Sequence, residues 1–183
     1  RTSRGLGDVY KRQGKRTSPL TEYLSLETIR LVVEYLPKSI QKPNSIEFRT
    51  KLAWADTAAG ICLSNGGADL PHPLGEIIGG ICQRIAHGET LAIVYPAFLE
   101  YKEKIAAEKF RNIASYLGIE KTPKALTNEI IELLKTTDLI RSKSHAAITL
   151  NEQSEILSHP LLKKLDPKNS QKILSIMSQS IKE

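Results

Sequence analysis

Between Leu70 and Pro96 the chain reads LPHPLGEIIGGICQRIAHGETLAIVYP, and Gly75, Gly79 and Gly80 stand inside an apolar pattern of helical period. Each glycine costs a helix interior roughly 1 kcal/mol relative to alanine. A helix that keeps three of them must let something approach its backbone closely: another helix, a cofactor, or both. The same stretch holds two of the four histidines. His72 opens the first apolar segment and His87 the second, each at an expected helix start. On one straight helix their spacing would hold them ~22 Å apart. They converge only if the chain turns between them, and Gln83 to Ala86 offers that turn. Imidazole suits zinc, iron, copper or nickel, but two ligands fix neither the metal nor its geometry. A capped or hydrogen-bonded histidine pair is the competing reading of the same spacing.

Helical periodicity dominates the rest, and strand alternation is nearly absent. Ser18 caps a helix with Pro19 in its first position, running to about Leu36, where Pro37 is expected to end or kink it. Its polar stripe is Glu27, Arg30, Glu34 and Lys38. The remaining faces are apolar, which implies burial on more than one side and an exposed apolar patch where a covering partner is absent. Asn44 and Glu47 are expected to form the capping box of a second helix, which reaches about Asn65 and is stopped by Gly66 and Gly67. Its Ala53, Ala55, Ala58, Ala59 and Gly60 permit close packing, and Trp54 is expected in the core. A helical region from about His87 to Leu117 is expected to break near Pro96 or Glu100, and Gly118 to stop it. Thr122 and Pro123 begin another helix. Residues 139–148 have no clear period. Asn151 to Leu162 and Pro167 to Ile181 read as two short helices, the second capped by Asp166. The fold class is all-α.

Ser3 to Gln13, SRGLGDVYKRQ, is the mismatch-free translation of the end of a common transposon-based sequencing-library adapter. Residues 1–13 are therefore expected to be a non-native tail, set aside from fold reasoning. Residues 14–183 are expected to form one helical domain. The net charge of +6 shrinks accordingly, because Arg1, Arg4, Lys11 and Arg12 against Asp8 supply half of it. The remaining balance carries no dense basic patch interleaved with aromatics, which removes the main support for nucleic-acid binding. No run of apolar residues is long enough for a membrane span. Cys62 and Cys82 lie in apolar helical segments and read as reduced core residues of a cytoplasmic protein.

The segment LPHPLGEIIGGICQRIAHGETLAIVYPAFLEY resembles the signature of the iron-containing, group III alcohol dehydrogenases. The upstream SPLTEYLSLETIRLVVEYLPKSI resembles the helix that follows that family's first metal-ligand segment. The resemblance runs from about Lys15 to Leu117 and is specific at the two histidine segments. It implies the helical C-terminal domain of the dehydroquinate synthase-like fold. Members bind iron(II), sometimes zinc, through one aspartate and three histidines. By the resemblance His72 matches the second histidine ligand and His87 the third. An alternative register equates His72 with a later pocket histidine and puts Ala68 at the metal position. The aspartate and first histidine would precede Ser18, where this chain carries the adapter. The N-terminal α/β domain that binds NAD(P) would likewise be missing. Gly75, Glu76 and Gly79 would border the cofactor and substrate pocket. Glu76 departs from the histidine that many members place there.

The resemblance implies an NAD(P)-dependent oxidoreductase that interconverts alcohols with aldehydes or ketones, homo-oligomeric as a whole enzyme. The fragment alone is expected to be inactive and to bind metal weakly. A sister activity such as glycerol dehydrogenase or maleylacetate reductase, or a non-catalytic helical interaction module, is the alternative. Outside the resemblance, His145 and His159 read as solvated or capping residues, and the run YKEKIAAEK (101–109) as a solvated helix face.

Overall fold

The computed structural model describes residues 18–139, 148–166 and 169–182. The described residues are helical and contain no strand, as the periodicity implies. The helices are α1 (Pro19–Gln41), α2 (Ile46–Gly66), α3 (Pro71–Ile81), α4 (His87–Ile105), α5 (Ala107–Leu117), α6 (Pro123–Thr136), α7 (Leu150–Ser158), α8 (Pro160–Leu165) and α9 (Ser170–Lys182).

The core is organised around α4. Every residue from Thr90 to Tyr95, and again from Ala97 to Leu99, is buried. A helix apolar on all sides must be covered on all sides, and α3, α5, α6 and α9 supply that cover. Pro96 does not break it. The proline forfeits one hydrogen bond, to the carbonyl of Ala92, at a cost of about 3 kcal/mol. Burial of its apolar neighbours, at about 1.5–3 kcal/mol for each large side chain, outweighs that. The break comes instead at Ala106 (φ −130°, ψ 35°). There the chain turns so that Phe110 and Ala114, both fully buried, can join the core.

α1 and α2 form an antiparallel hairpin beside this core. The seam is made of small residues, Ala55, Ala58, Ala59 and Cys62, all buried. Ser25 Oγ donates to Cys62 Sγ at 3.3 Å across it. Trp54, one position off the stripe, faces outward at 47% exposure and is not core, contrary to its sequence expectation. Leu20 and Tyr23 also stand exposed on α1. The polar stripe forms as the spacing implies: Arg30 bridges Glu27 (2.7 Å) and Glu34 (2.8 Å), and Lys38 joins Glu34 (3.1 Å). The Tyr116 hydroxyl donates to Glu27 at 3.2 Å and ties α5 to the hairpin.

Several helix ends differ from expectation for local reasons. α1 runs through Pro37 to Gln41. The proline lies one turn from the end and removes a single bond, while the Lys42 N–H still closes on the Lys38 carbonyl at 2.9 Å. Ser45, not Asn44, caps α2 by accepting from the Phe48 N–H. Pro160 has no N–H to continue α7, so the expected helix over 151–162 is split in two. His159 sits at the join, its Nδ1 accepting from the Leu161 N–H at 3.4 Å, which is a capping role. Gly67 and Gly118, both at φ +71°, stop α2 and α5. Most of 139–148, with His145, lies outside the described residues.

Gly75 is where one helix approaches another. A Cβ there would sit 2.9 Å from Leu91 Cδ2 and 3.0 Å from Thr90 Oγ1. At Gly80 nothing lies within 4 Å. Gly75→Ala should therefore lower stability, because an overpacking penalty of about 1–3 kcal/mol exceeds the ~1 kcal/mol gained in helix propensity. Gly80→Ala should raise stability by about 1 kcal/mol. Urea denaturation of the two variants checks the opposite signs.

A second expectation concerns acid. Arg84, in the turn after α3, holds Glu152 of α7 with both terminal guanidinium nitrogens, at 2.6 and 2.7 Å. That fork, and next the Thr149 backbone N–H, bring the Glu152 carboxyl down to about 2 from its ordinary 4.5. A depressed carboxylate stabilises the fold above its unfolded pKa, and the contribution fades as pH falls from about 4.5 toward 2. Glu152→Gln should lower the Tm at pH 7, with the gap to wild type closing by about pH 2. Thermal melts across that range measure it.

Candidate functional site

α3 packs on α4 at Gly75, and the rings of His72 and His87 come together beside that contact. α3 starts without a side-chain cap on Leu70, with Pro71 in its first position and His72 in its second. The His72 N–H donates to the Asp69 carbonyl at 3.0 Å and the Leu74 N–H to the Leu70 carbonyl at 3.2 Å. At the far end, the Ile85 N–H closes on the Cys82 carbonyl at 2.9 Å and reverses the chain. This is the turn that the sequence places at Gln83 to Ala86.

α4 then begins at His87. Glu89 reaches back to accept the Ala86 N–H at 3.0 Å, and the Thr90 hydroxyl donates to the His87 carbonyl at 2.8 Å. The first contact satisfies an N–H that a helix start leaves unpaired. The crossing at Gly75 then sets the approach of α3. Together they bring the rings of His72 and His87 to 5.2 Å between centroids, with planes tilted by 45°. The convergence expected of the two histidines therefore occurs.

His72 is half-buried, with Nε2 fully shielded from solvent, and His87 is exposed. A pair with one buried and one open side can hold an ion at a surface cleft. Two neutral imidazoles are borderline donors that fit iron(II) or zinc. Among the described residues no group of three or more His, Cys, Asp or Glu side chains is placed to hold a metal. Burial first, and then the Glu152 carboxylate, push the Cys82 thiol up.

The three other residues singled out in the sequence separate here. Gly75 is filled by α4, as described. Gly79 is half-buried, with Thr90 Cγ2 3.8 Å from where its Cβ would be. Glu76 is exposed, one helical turn beyond His72.

Sequence reasoning missed Asp69 and Lys102. Asp69 Oδ1 accepts the Leu70 N–H at 2.8 Å, and Oδ2 lies 3.3 Å from Lys102 Nζ. Lys102 belongs to the run read as a solvated face, yet it is 7% exposed. Its neighbour Glu103 also turns inward, accepting from the Thr127 hydroxyl at 2.6 Å. An aspartate three residues ahead of a helical histidine was the available signal for one half of the pair. No local pattern marks the other.

The chain is similar in sequence and in fold to known proteins. The chain is 31% identical over 104 residues to NAD-dependent methanol dehydrogenase of Bacillus methanolicus, covering 57% of this chain and 27% of that protein. It is 33% identical over 98 residues to the long-chain primary alcohol dehydrogenase AdhA of Thermoanaerobacter ethanolicus, covering 54% and 25%. The solved iron-containing alcohol dehydrogenase of Corynebacterium glutamicum superposes with a TM-score of 0.77 at 20% identity, over 98% of this chain and 49% of that one. The aligned region thus spans about a quarter of these curated relatives and half of the solved structure. The model of the Fe-containing alcohol dehydrogenase family, C-terminal part, matches residues 13–179. With its helical fold and that match over nearly its whole length, the chain belongs to the Fe-containing alcohol dehydrogenase family, as its C-terminal domain.

Proposed function

We propose that this chain is the metal-bearing domain of an NAD(P)-dependent alcohol dehydrogenase that interconverts alcohols with aldehydes or ketones. The observation that carries the reading is the approach of His72 to His87, on two helix starts, within the fold of that family. The two imidazoles would hold the ion, iron(II) or zinc. The bound metal would supply a Lewis acid for the substrate oxygen.

The chain's own residues do the rest of the positioning. Thr90 and Glu89 hold the first turn of α4 and with it His87. Glu76 and Gly79, on the same side of α3 as His72, would border the approach of substrate and nicotinamide. Gly75 we assign to helix packing, since Leu91 and Thr90 occupy its space. Nicotinamide and the remaining metal ligands would come from sequence outside this domain, in a cleft between domains of the kind that ligands favour. The whole enzyme would act on a small alcohol or aldehyde, in the cytoplasm and as a homo-oligomer.

The reading is tested on a polypeptide that extends this domain to the length of its relatives, loaded with ferrous iron without oxygen. Metal analysis should find about one ion per chain. His87→Ala should remove it while the circular dichroism stays helical. NAD(P)-linked oxidation of a primary alcohol should follow the metal. The 183-residue chain alone should turn over no alcohol. Equal turnover by the short and extended chains, or metal retained in His87→Ala, overturns the assignment.

A further inference from the structure

We propose that Lys102 is a positioning residue for the histidine pair, holding His72 against His87 through Asp69. The inference rests on the reading of the two histidines as metal ligands.

Lys102 lies on the helix that His87 opens, ~22 Å further along its axis. Its side chain is 8% exposed. The ammonium stands 5.4 Å over the Phe98 ring and 3.3 Å from Asp69 Oδ2. A charge buried this far needs a counter-charge, since an unpaired one carries a large desolvation penalty. The dependence is mutual. Asp69 Oδ2 is buried and accepts no hydrogen bond, so the Lys102 ammonium is what compensates it.

Asp69 in turn sets the first turn of α3. Its Oδ1 takes the Leu70 N–H, and its main-chain carbonyl takes the N–H of His72 itself. Leu70 provides no cap of its own, so Asp69 is the polar anchor at this helix start. Buried Pro71 and Leu74 anchor the apolar side of this start. A cavity of about 320 Å³, lined by Asp69, Pro73, Tyr101 and Lys102, opens on this flank. On the side facing that cavity, the ion pair ties the Asp69 turn to α4. The α4 helix therefore locates both imidazoles, His87 directly and His72 by way of Lys102 and Asp69.

The test uses the chain as it stands, followed by NMR of its histidine rings and by nickel(II) titration. The wild type should show a cross-relaxation peak between the rings of His72 and His87, and nickel should broaden both at the same concentration. Lys102→Met should lose the peak and weaken nickel binding about tenfold, the scale expected when a residue supporting a ligand is removed. Lys102→Arg, which keeps the charge, should retain both. Where Lys102→Met loses helix content by circular dichroism, Asp69→Asn carries the test, since it keeps the side-chain shape and loses the charge. Persistence of the peak and of nickel affinity in Lys102→Met and Asp69→Asn overturns the proposal. Should nickel fail to broaden the wild-type rings together, the metal reading fails by itself. The ring-to-ring peak in the variants still decides the role of Lys102.

Discussion

The close crossing of α3 on α4 at Gly75 is the contact on which the site depends. Because no Cβ intervenes, Leu91 and Thr90 reach to about 3 Å of where one would stand. The rings of His72 and His87 can then come to 5.2 Å between centroids. Thr90 serves twice, in contact with α3 on one side and bonded to the His87 carbonyl through its hydroxyl. A shift at the crossing would thus be felt directly at a histidine. Interiors packed to crystal-like density transmit such strain and do not absorb it.

Electrostatics secures what packing begins. α3 is short, and its C-terminal end leads into a tight turn. Each end is tied by an ion pair to a distant part of the chain: Asp69 to Lys102 before it, Arg84 to Glu152 after it. The two ties differ in character. The Arg84–Glu152 fork lies at the surface and yields to acid. The Asp69–Lys102 pair is shielded, and pairs of that kind add little net stability while constraining geometry. A site that must hold two imidazoles within a few ångströms needs the second kind.

The function follows from placement more than from any single reactive group. Among the described residues no group of three or more His, Cys, Asp or Glu side chains is placed to hold a metal. What the domain offers is two imidazoles on rigid helix starts, an open rim with Glu76, and an α1–α2 hairpin whose Leu20, Tyr23 and Trp54 stand exposed. These features suit the metal-bearing role proposed above.

Much of this was legible in the sequence because it is local. Ser18 with Pro19, Thr122 with Pro123, and Gly118 mark helix ends through contacts within one turn. The polar stripe of α1 and the small-residue seam of α2 follow from the 3.6-residue period alone. The histidine pair was legible through the family resemblance of its segment, since the spacing alone required a turn but left a capped or hydrogen-bonded pair open. The tertiary structure decided the rest. Pro96 and Pro37 did not end their helices, because burial or nearness to the end outweighed a local penalty. Trp54 turned outward because alanines had already taken the seam. Lys102 turned inward because Asp69, 33 positions away in the chain, waited there with the opposite charge. Period and propensity describe a residue's own helix. They carry no information about which distant side chain will compensate a buried charge, and that is settled only when the helices pack.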